Sequence, residues 1–122
     1  MQVLISIGSN VDAFRNVTEA LRLLSQLIDD VHVSEIISTK PFGEHYKNDF
    51  NNCLVRGETS LPVAELEQKL KQIEQSFGRT AASKQSGLVP LDLDSLQYGE
   101  EKFHLRDWQR PYVADLLPSV LL

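Results

Sequence analysis

The sequence predicts one α+β domain in which helices cover one face of an antiparallel sheet. Along the sequence, segments rich in β-branched residues alternate with segments whose apolar residues recur at helical spacing. The chain length of 122 residues fits a single domain over 1–122. A hydrophobic content of 42% and a charged content of 24% are ordinary for a globular protein with one core.

The first half of the chain carries a strand, a helix and a second strand. Residues 2–7 are β-rich and end in a Gly-Ser-Asn turn, after which Asp12 is placed to cap a helix. Apolar residues at helical spacing continue as far as Ile28 and form one stripe. Residues 31–38 are predicted as the second strand, because β-branched residues dominate them.

The middle of the chain repeats this alternation. A polar loop over 39–49 leads into a third strand over 50–58. Ser60 is predicted to cap the second helix, and Gly78 is predicted to end it.

The last third adds one more strand and a helical tail. Residues 80–90 are small and polar and are predicted to form a mobile loop. A fourth strand over 91–98 follows, and then a short helix over 111–117. The order β-α-β-β-α-β with a C-terminal helix is that of a ferredoxin-like sandwich.

Composition also narrows the function. The net charge of −5 disfavours nucleic-acid binding, which needs a basic surface. The single cysteine, Cys53, is predicted to be a buried strand residue. The apolar runs are too short to span a membrane, and the N-terminal residues lead us to expect no signal peptide. We therefore expect a cytoplasmic protein without membrane or nucleic-acid partners, and we also expect it to be a monomer.

The clearest chemical pattern is Leu91-Asp92-Leu93-Asp94. Because side chains alternate on a strand, the two aspartates share one face while the leucines point into the core. Two carboxylates on one face suit magnesium, which is commonly held by one or two carboxylates, waters and substrate phosphates. A solvated strand face with two unrelated acids is an equally good interpretation of the spacing alone.

An aromatic residue and an amide form a second pattern at the start of the third strand. Phe50 and Asn52 share one strand face. A flat heterocycle needs a ring to stack on and a polar group that reads its edge. The alternative, a core phenylalanine beside an edge asparagine, is stronger on these residues alone.

Several cations could meet around a triphosphate. They are Arg79, Lys84, Lys102, His104, Arg106 and Arg110. For any one of them a solvated surface position is the stronger interpretation. The sequence contains neither a glycine-rich phosphate loop nor a nucleophile elbow.

In this order, the motifs ISIGSN, TKPFG, DFNN, IEQSFGR, DLD and RPY resemble the 6-hydroxymethyl-7,8-dihydropterin pyrophosphokinases. The resemblance implies a ferredoxin-like fold. It also implies transfer of diphosphate from ATP to the hydroxymethyl group of the pterin in folate biosynthesis, with two magnesium ions.

The resemblance also implies roles for individual residues. Asp92 and Asp94 would bind magnesium and, with Arg79 and Arg110, form the catalytic set. The residues implied to bind the pterin are Thr39, Pro41, Phe42, Gly43, Phe50, Asn52 and Tyr112. Those implied to bind ATP are Glu74, Arg79, His104 and Arg110.

The chain departs from the family pattern in the loop over 80–90. Ala81 stands where the family has a second arginine, Ser86 where it often has tryptophan, and Leu88-Val89 where it has Pro-Arg. The connection over 99–104 is shorter than usual, and the chain ends early. Two functions therefore stay open: a pyrophosphokinase with reduced activity, and a non-catalytic homologue that binds a pterin or a nucleotide.

Overall fold

A computed structural model describes residues 1–41, 44–46, 48–80 and 85–120. Within these residues the chain forms a six-stranded sheet, three α-helices and a short 3-10 helix, Asp107–Gln109. The strands are β1 (Gln2–Ser9), β2 (Asp29–Val33), β3 (Ile37–Thr39), β4 (Phe50–Glu58), β5 (Asp92–Tyr98) and β6 (Glu101–Lys102). The α-helices are α1 (Ala13–Leu24), α2 (Val63–Ser76) and α3 (Pro111–Val120). The predicted α+β class is confirmed.

The sheet is built around β1. Its strands lie in the order β2-β4-β1-β5-β6, and β3 pairs with β4 on the same side as β2. Every pairing among the described strands is antiparallel. All residues of β1 after Gln2 are buried, because the strand is central and both faces of the sheet are covered.

The predicted second strand over 31–38 is divided into β2 and β3. Ser34 lies at the break, where its amide donates to the Leu54 carbonyl at 2.9 Å. Its hydroxyl also accepts a 2.8 Å hydrogen bond from the Leu54 amide. A side-chain oxygen therefore replaces a backbone carbonyl as the acceptor, and the regular ladder is interrupted there.

Two apolar layers pack against opposite faces of the sheet. The layer under α1 and α2 includes Ile5 and Ile7 of β1. The layer under α3 includes Leu4, Leu54 and Leu96. The predicted placement of helices on one face holds for α1 and α2, whereas the C-terminal helix covers part of the other face.

The helix ends differ in detail from the predictions. Asp12 occupies the N-cap position of α1, but in a left-handed conformation with φ 41°. Pro62, not Ser60, is the N-cap residue of α2. Gly78 ends α2 as predicted, since its φ of 89° is a left-handed conformation that glycine adopts without strain.

The loop predicted to be mobile is tied down over its second half. Asn10 donates its side-chain amide to the Gly87 carbonyl at 3.0 Å and accepts from the Val89 amide at 2.5 Å. The Ser9 hydroxyl donates to the Pro90 carbonyl at 2.7 Å. Val89 is buried, so this part of the loop is fixed to the end of β1. Ala81 and Lys84 lie outside the described residues.

Cys53 is fully buried in β4, as predicted. Burial raises the pKa of its thiol to about 12, so the sulfur stays protonated and behaves as a small apolar group. In the described part of the chain, the helices are too short or too polar to cross a membrane.

Candidate active site

The candidate site lies on the α3 face of the sheet, where three adjacent strands change from apolar to polar residues. On this face β1 presents Leu4, Ser6 and Gly8; β4 presents Leu54, Asn52 and Phe50; and β5 presents Leu96, Asp94 and Asp92. The leucines pack under α3. The residues beyond them form the floor of a cleft beside the first turn of that helix.

Gly8 sits at the centre of this floor. The strand register places it between Asn52 on β4 and Asp92 on β5. A β-carbon at Gly8 would lie 2.6 Å from the Asn52 side-chain oxygen. Because position 8 has no side chain, the Asn52 amide can lie across β1. The floor of the cleft is therefore continuous from Asn52 on β4 to Asp92 on β5.

The cleft brings together most of the residues predicted to form the site. Those that line it are Thr39, Pro41, Phe50, Asn52, Arg79, Asp92, Asp94, Arg110 and Tyr112. His104 lies at its edge, with Nε2 3.9 Å from Asp94 Oδ1. Glu74 lies behind Arg79 and contacts it. Phe42 and Gly43 lie outside the described residues.

The two aspartates face the cleft together, as the strand alternation predicted. Leu91 and Leu93 are turned into the core and are buried. Arg79 Nη1 donates to Asp92 Oδ1 at 2.5 Å. Asp94 is the deeper of the pair, and its side chain is 23% exposed against 38% for Asp92.

Asp94 holds its proton unusually tightly. Burial, together with the neighbouring charge of Asp92, raises the pKa of Asp94 from 3.8 to about 8. A cation placed between the two carboxylates would reverse this effect, because it stabilises both charges at once.

The raised pKa predicts that the metal-free protein loses stability as the pH rises. Between an ordinary pKa near 3.8 and a folded-state pKa of about 8, the folded protein keeps a proton that the unfolded chain has lost. The stabilisation from this proton is complete below the ordinary pKa of 3.8 and is lost as the pH rises through the folded-state pKa of about 8.

Thermal unfolding of the parent and of Asp94→Asn, in chelator from about pH 5 to about pH 9, measures this effect. The melting temperature of the parent relative to the variant should fall across that range. A constant difference would show that Asp94 titrates normally.

Glu74 connects α2 to the start of β5. Its carboxylate accepts from the Leu93 amide at 2.7 Å and from Arg79 Nη1 at 2.8 Å. Burial raises the pKa of Glu74, although the Leu93 amide opposes the rise. Arg79 also donates to the Leu91 carbonyl at 3.2 Å. Despite burial, Asp92 and Glu74 hold the pKa of Arg79 above its ordinary value, so the guanidinium is a fixed positive charge.

The other half of the cleft is aromatic. Phe50 begins β4 and Tyr112 lies in the first turn of α3, so separate elements bring the two rings to one cleft. The Tyr112 hydroxyl is 3.2 Å from the Ser6 hydroxyl. Asn52 Nδ2 donates to Thr39 Oγ1 at 2.5 Å, which fixes the orientation of the amide.

Two of the predicted cations lie apart from the cleft lining. Lys102 Nζ sits 4.4 Å from the centre of the Trp108 ring, a cation–π contact. Arg106 is exposed on the connection before the 3-10 helix. That these two residues meet a triphosphate stays a prediction.

Five further residues line the cleft: Gly8, Lys40, Tyr46, Val89 and Asp107. Lys40 belongs to the TKPFG loop and Val89 stands where the family has arginine, whereas Gly8, Tyr46 and Asp107 were not predicted to belong to the site. A glycine near the end of a strand signals a close approach and could have been found. Tyr46 packs edge-on against Phe50, with ring centres 5.2 Å apart and planes at 81°, and only the folded loop brings them together.

The donor set suits a metal that relies on its substrate for ligands. Among the described residues, His, Cys, Asp and Glu form no group of three or more that could enclose a metal ion. The Asp92–Asp94 pair supplies two carboxylates on an open cleft. Magnesium is commonly bound in this way, with phosphate oxygens and waters completing its shell.

Comparison with known proteins finds a family whose members this chain resembles. A model of the 7,8-dihydro-6-hydroxymethylpterin-pyrophosphokinase family matches residues 4–121. The chain is 37% identical to a folate synthesis bifunctional protein of Arabidopsis thaliana over 130 residues, which cover 98% of this chain and 27% of that protein.

Single-function relatives match as well. A 2-amino-4-hydroxy-6-hydroxymethyldihydropteridine pyrophosphokinase of Bacillus subtilis is 32% identical over 127 residues, 95% of this chain and 75% of that protein. The corresponding Aquifex aeolicus protein is 30% identical over 100 residues, 81% of this chain and 62% of that protein. The chain thus spans about a quarter of the length of the Arabidopsis relative and most of the Bacillus one.

Proposed function

Since the chain belongs to the 7,8-dihydro-6-hydroxymethylpterin-pyrophosphokinase family, we propose that it transfers diphosphate from ATP to 6-hydroxymethyl-7,8-dihydropterin. The observation that carries the proposal is the row Asn52–Gly8–Asp92 across three strands. It places an aromatic and amide slot directly beside a pair of carboxylates. The hydroxyl group of a ring bound in the slot and the polyphosphate of a second ligand could therefore meet above Gly8.

The pterin is proposed to lie between the rings of Phe50 and Tyr112. Stacking on two aromatic rings buries both faces of a flat heterocycle and leaves its edge for polar recognition. Asn52 is the proposed reader of that edge, because its amide offers both a donor and an acceptor. Thr39 fixes this amide through its hydrogen bond, so specificity rests on an ordered group.

The phosphates are proposed to lie over the acidic and basic half of the cleft. Asp92 and Asp94 would hold magnesium, two ions in our proposal, which neutralises phosphate charge when bound. Arg79 and Arg110 would bind phosphate oxygens, with His104 at the edge. Glu74 acts behind Arg79 and holds its guanidinium in place.

The proposed reaction needs no covalent intermediate on the protein. The pterin hydroxyl oxygen attacks the β-phosphorus of ATP, and the bond between that phosphorus and the oxygen bridging it to the α-phosphate breaks. AMP leaves, and the proton of the hydroxyl group is released to solvent. The protein supplies alignment and charge, which are the main contributions in phosphoryl transfer.

A non-catalytic homologue that binds a pterin or a nucleotide is the second candidate. Val89 favours it, because a buried apolar side chain lines the cleft where the family carries arginine. One charge-assisted contact to phosphate is thereby lost, which corresponds to roughly ten- to a hundredfold in rate. We therefore propose an enzyme that is slower than its relatives.

Product analysis separates the two candidates. With ATP, magnesium and the hydroxymethyl dihydropterin, the enzyme should form AMP and pterin diphosphate in equal amounts. Omission of either magnesium or pterin should stop AMP formation. If calorimetry detects pterin binding but no AMP is formed, the non-catalytic homologue is favoured. If the protein binds neither the pterin nor ATP, both candidate functions are excluded.

A further inference from the structure

Asp107 is a third acidic residue in the cleft, to which the proposed function gives no role. It begins the 3-10 helix Asp107–Gln109 and lines the cleft with Asp92, Asp94 and Arg110. An acid is unexpected at a place that should receive a polyphosphate, because it adds repulsion. Its contacts give it a different purpose.

Asp107 holds Arg110 by a side-chain hydrogen bond. Arg110 Nε donates to Asp107 Oδ1 at 3.1 Å. The side chains are 34% and 24% exposed, so the pair is partly shielded from water. Ion pairs of this spacing on an open surface contribute little, but a shielded contact at a binding cleft can fix a long side chain in one orientation.

The backbone of Asp107 links the same residues. Its amide donates to the His104 carbonyl at 2.8 Å, and its carbonyl accepts from the Arg110 amide at 3.0 Å. The Arg110 carbonyl in turn accepts from Val113 of α3 at 3.0 Å. Asp107 therefore connects His104 and Arg110, both proposed to meet the nucleotide, to the helix that carries Tyr112.

Arg79, which also lines the cleft, is held by a carboxylate as well, since its Nη1 donates to Glu74 Oε2 at 2.8 Å. Each arginine thus has a carboxylate that contacts it from within the protein. A guanidinium already oriented loses less conformational entropy when it binds a phosphate.

We infer that Asp107 is a positioning residue that orients Arg110 toward the nucleotide phosphates. The inference rests on the proposed function. In this role the Asp107 carboxylate binds Arg110 and not a metal ion. What matters most is its hydrogen-bond acceptor oxygen, more than its negative charge.

Paired substitutions separate the acceptor from the charge. Asp107→Ala removes both and should weaken binding of a non-hydrolysable ATP analogue with magnesium about tenfold. Asp107→Asn keeps an acceptor oxygen and should stay within about threefold of the parent. Pterin affinity should be unchanged in both variants. The matched control is Asp115→Asn, an exposed acid on α3, which should match the parent throughout.

The hydrogen bond itself is measured by NMR of the arginine Nε–H groups, without any ligand. The Arg110 signal, identified by its loss in Arg110→Lys, should be protected from solvent exchange in the parent and lose protection in Asp107→Ala.

An unprotected signal in the parent would overturn the inference whatever the enzyme does. If Asp107→Ala binds the nucleotide as tightly as the parent, Asp107 does not position Arg110. If the parent itself binds no nucleotide while its Arg110 signal is protected, the proposed function fails and the positioning role for phosphate falls with it.

Discussion

Replacing Asp94 with asparagine is expected to lower the rate of AMP formation on the order of a thousandfold. The change removes one of two carboxylates proposed to hold magnesium, and with it the charge that balances the phosphates. Asparagine has nearly the same shape, so the fold should be kept. Because Asp94 is largely buried beside Asp92, its loss should raise the melting temperature in chelator at neutral or higher pH.

Initial rates at saturating ATP and magnesium, with thermal unfolding of the same samples, measure both effects. The control is Glu100→Gln, which removes one negative charge at an exposed position after β5. It should change neither the rate nor the stability appreciably. An Asp94→Asn variant that is well folded and as fast as the parent would show that Asp94 does not hold a magnesium ion needed for the reaction.

Replacing Phe50 with alanine is expected to weaken pterin binding on the order of a hundredfold. The variant loses one wall of the aromatic slot, and with it both apolar contact and ring stacking. Tyr46, which packs against the edge of Phe50, would lose its support in the same variant.

Calorimetry with 6-hydroxymethylpterin measures the loss, and calorimetry with magnesium and an ATP analogue should show little change. The control is Phe14→Ala on α1, since Phe14 is 66% exposed and lies outside the cleft. Equal pterin affinity in Phe50→Ala and the parent would place the pterin elsewhere. Equal losses in both alanine variants would point to a general effect on the fold.

Local patterns in the sequence were enough to predict the parts of the site that lie on one strand. The alternation over 91–94 placed both aspartates on one face, because strand geometry has a period of two. The strand and helix order similarly predicted the α+β class. Both predictions depend on neighbouring residues, and neighbouring residues are what sequence periodicity describes.

Contacts between distant segments were not predictable in the same way. The Asn10 side chain accepts a hydrogen bond from the Val89 amide across 79 positions of the chain. No local pattern in either segment predicts this contact. Ser34 divides the predicted second strand through a bond to Leu54 on β4. The short helix over 111–117 was predicted, but the sequence did not indicate the face of the sheet on which it packs.

Charged residues were the hardest to interpret. Lys102 and Arg110 looked alike in the sequence, yet one lies over Trp108 and the other lines the cleft. Asp107 three residues before Arg110 has the spacing of an ordinary surface pair. Only its position in the cleft supports the role that we propose for the pair.

Transfer of diphosphate from ATP to the pterin is measured by following the β-phosphorus of ATP in a single turnover. ATP labelled at the β-phosphate is mixed with excess enzyme, magnesium and 6-hydroxymethyl-7,8-dihydropterin, and the products are separated. The label should move to the pterin as AMP appears, and Asp94→Asn should greatly slow both. Label that stays in ADP or ATP, with phosphate released and the pterin unmodified, would show that the protein does not transfer diphosphate to the pterin.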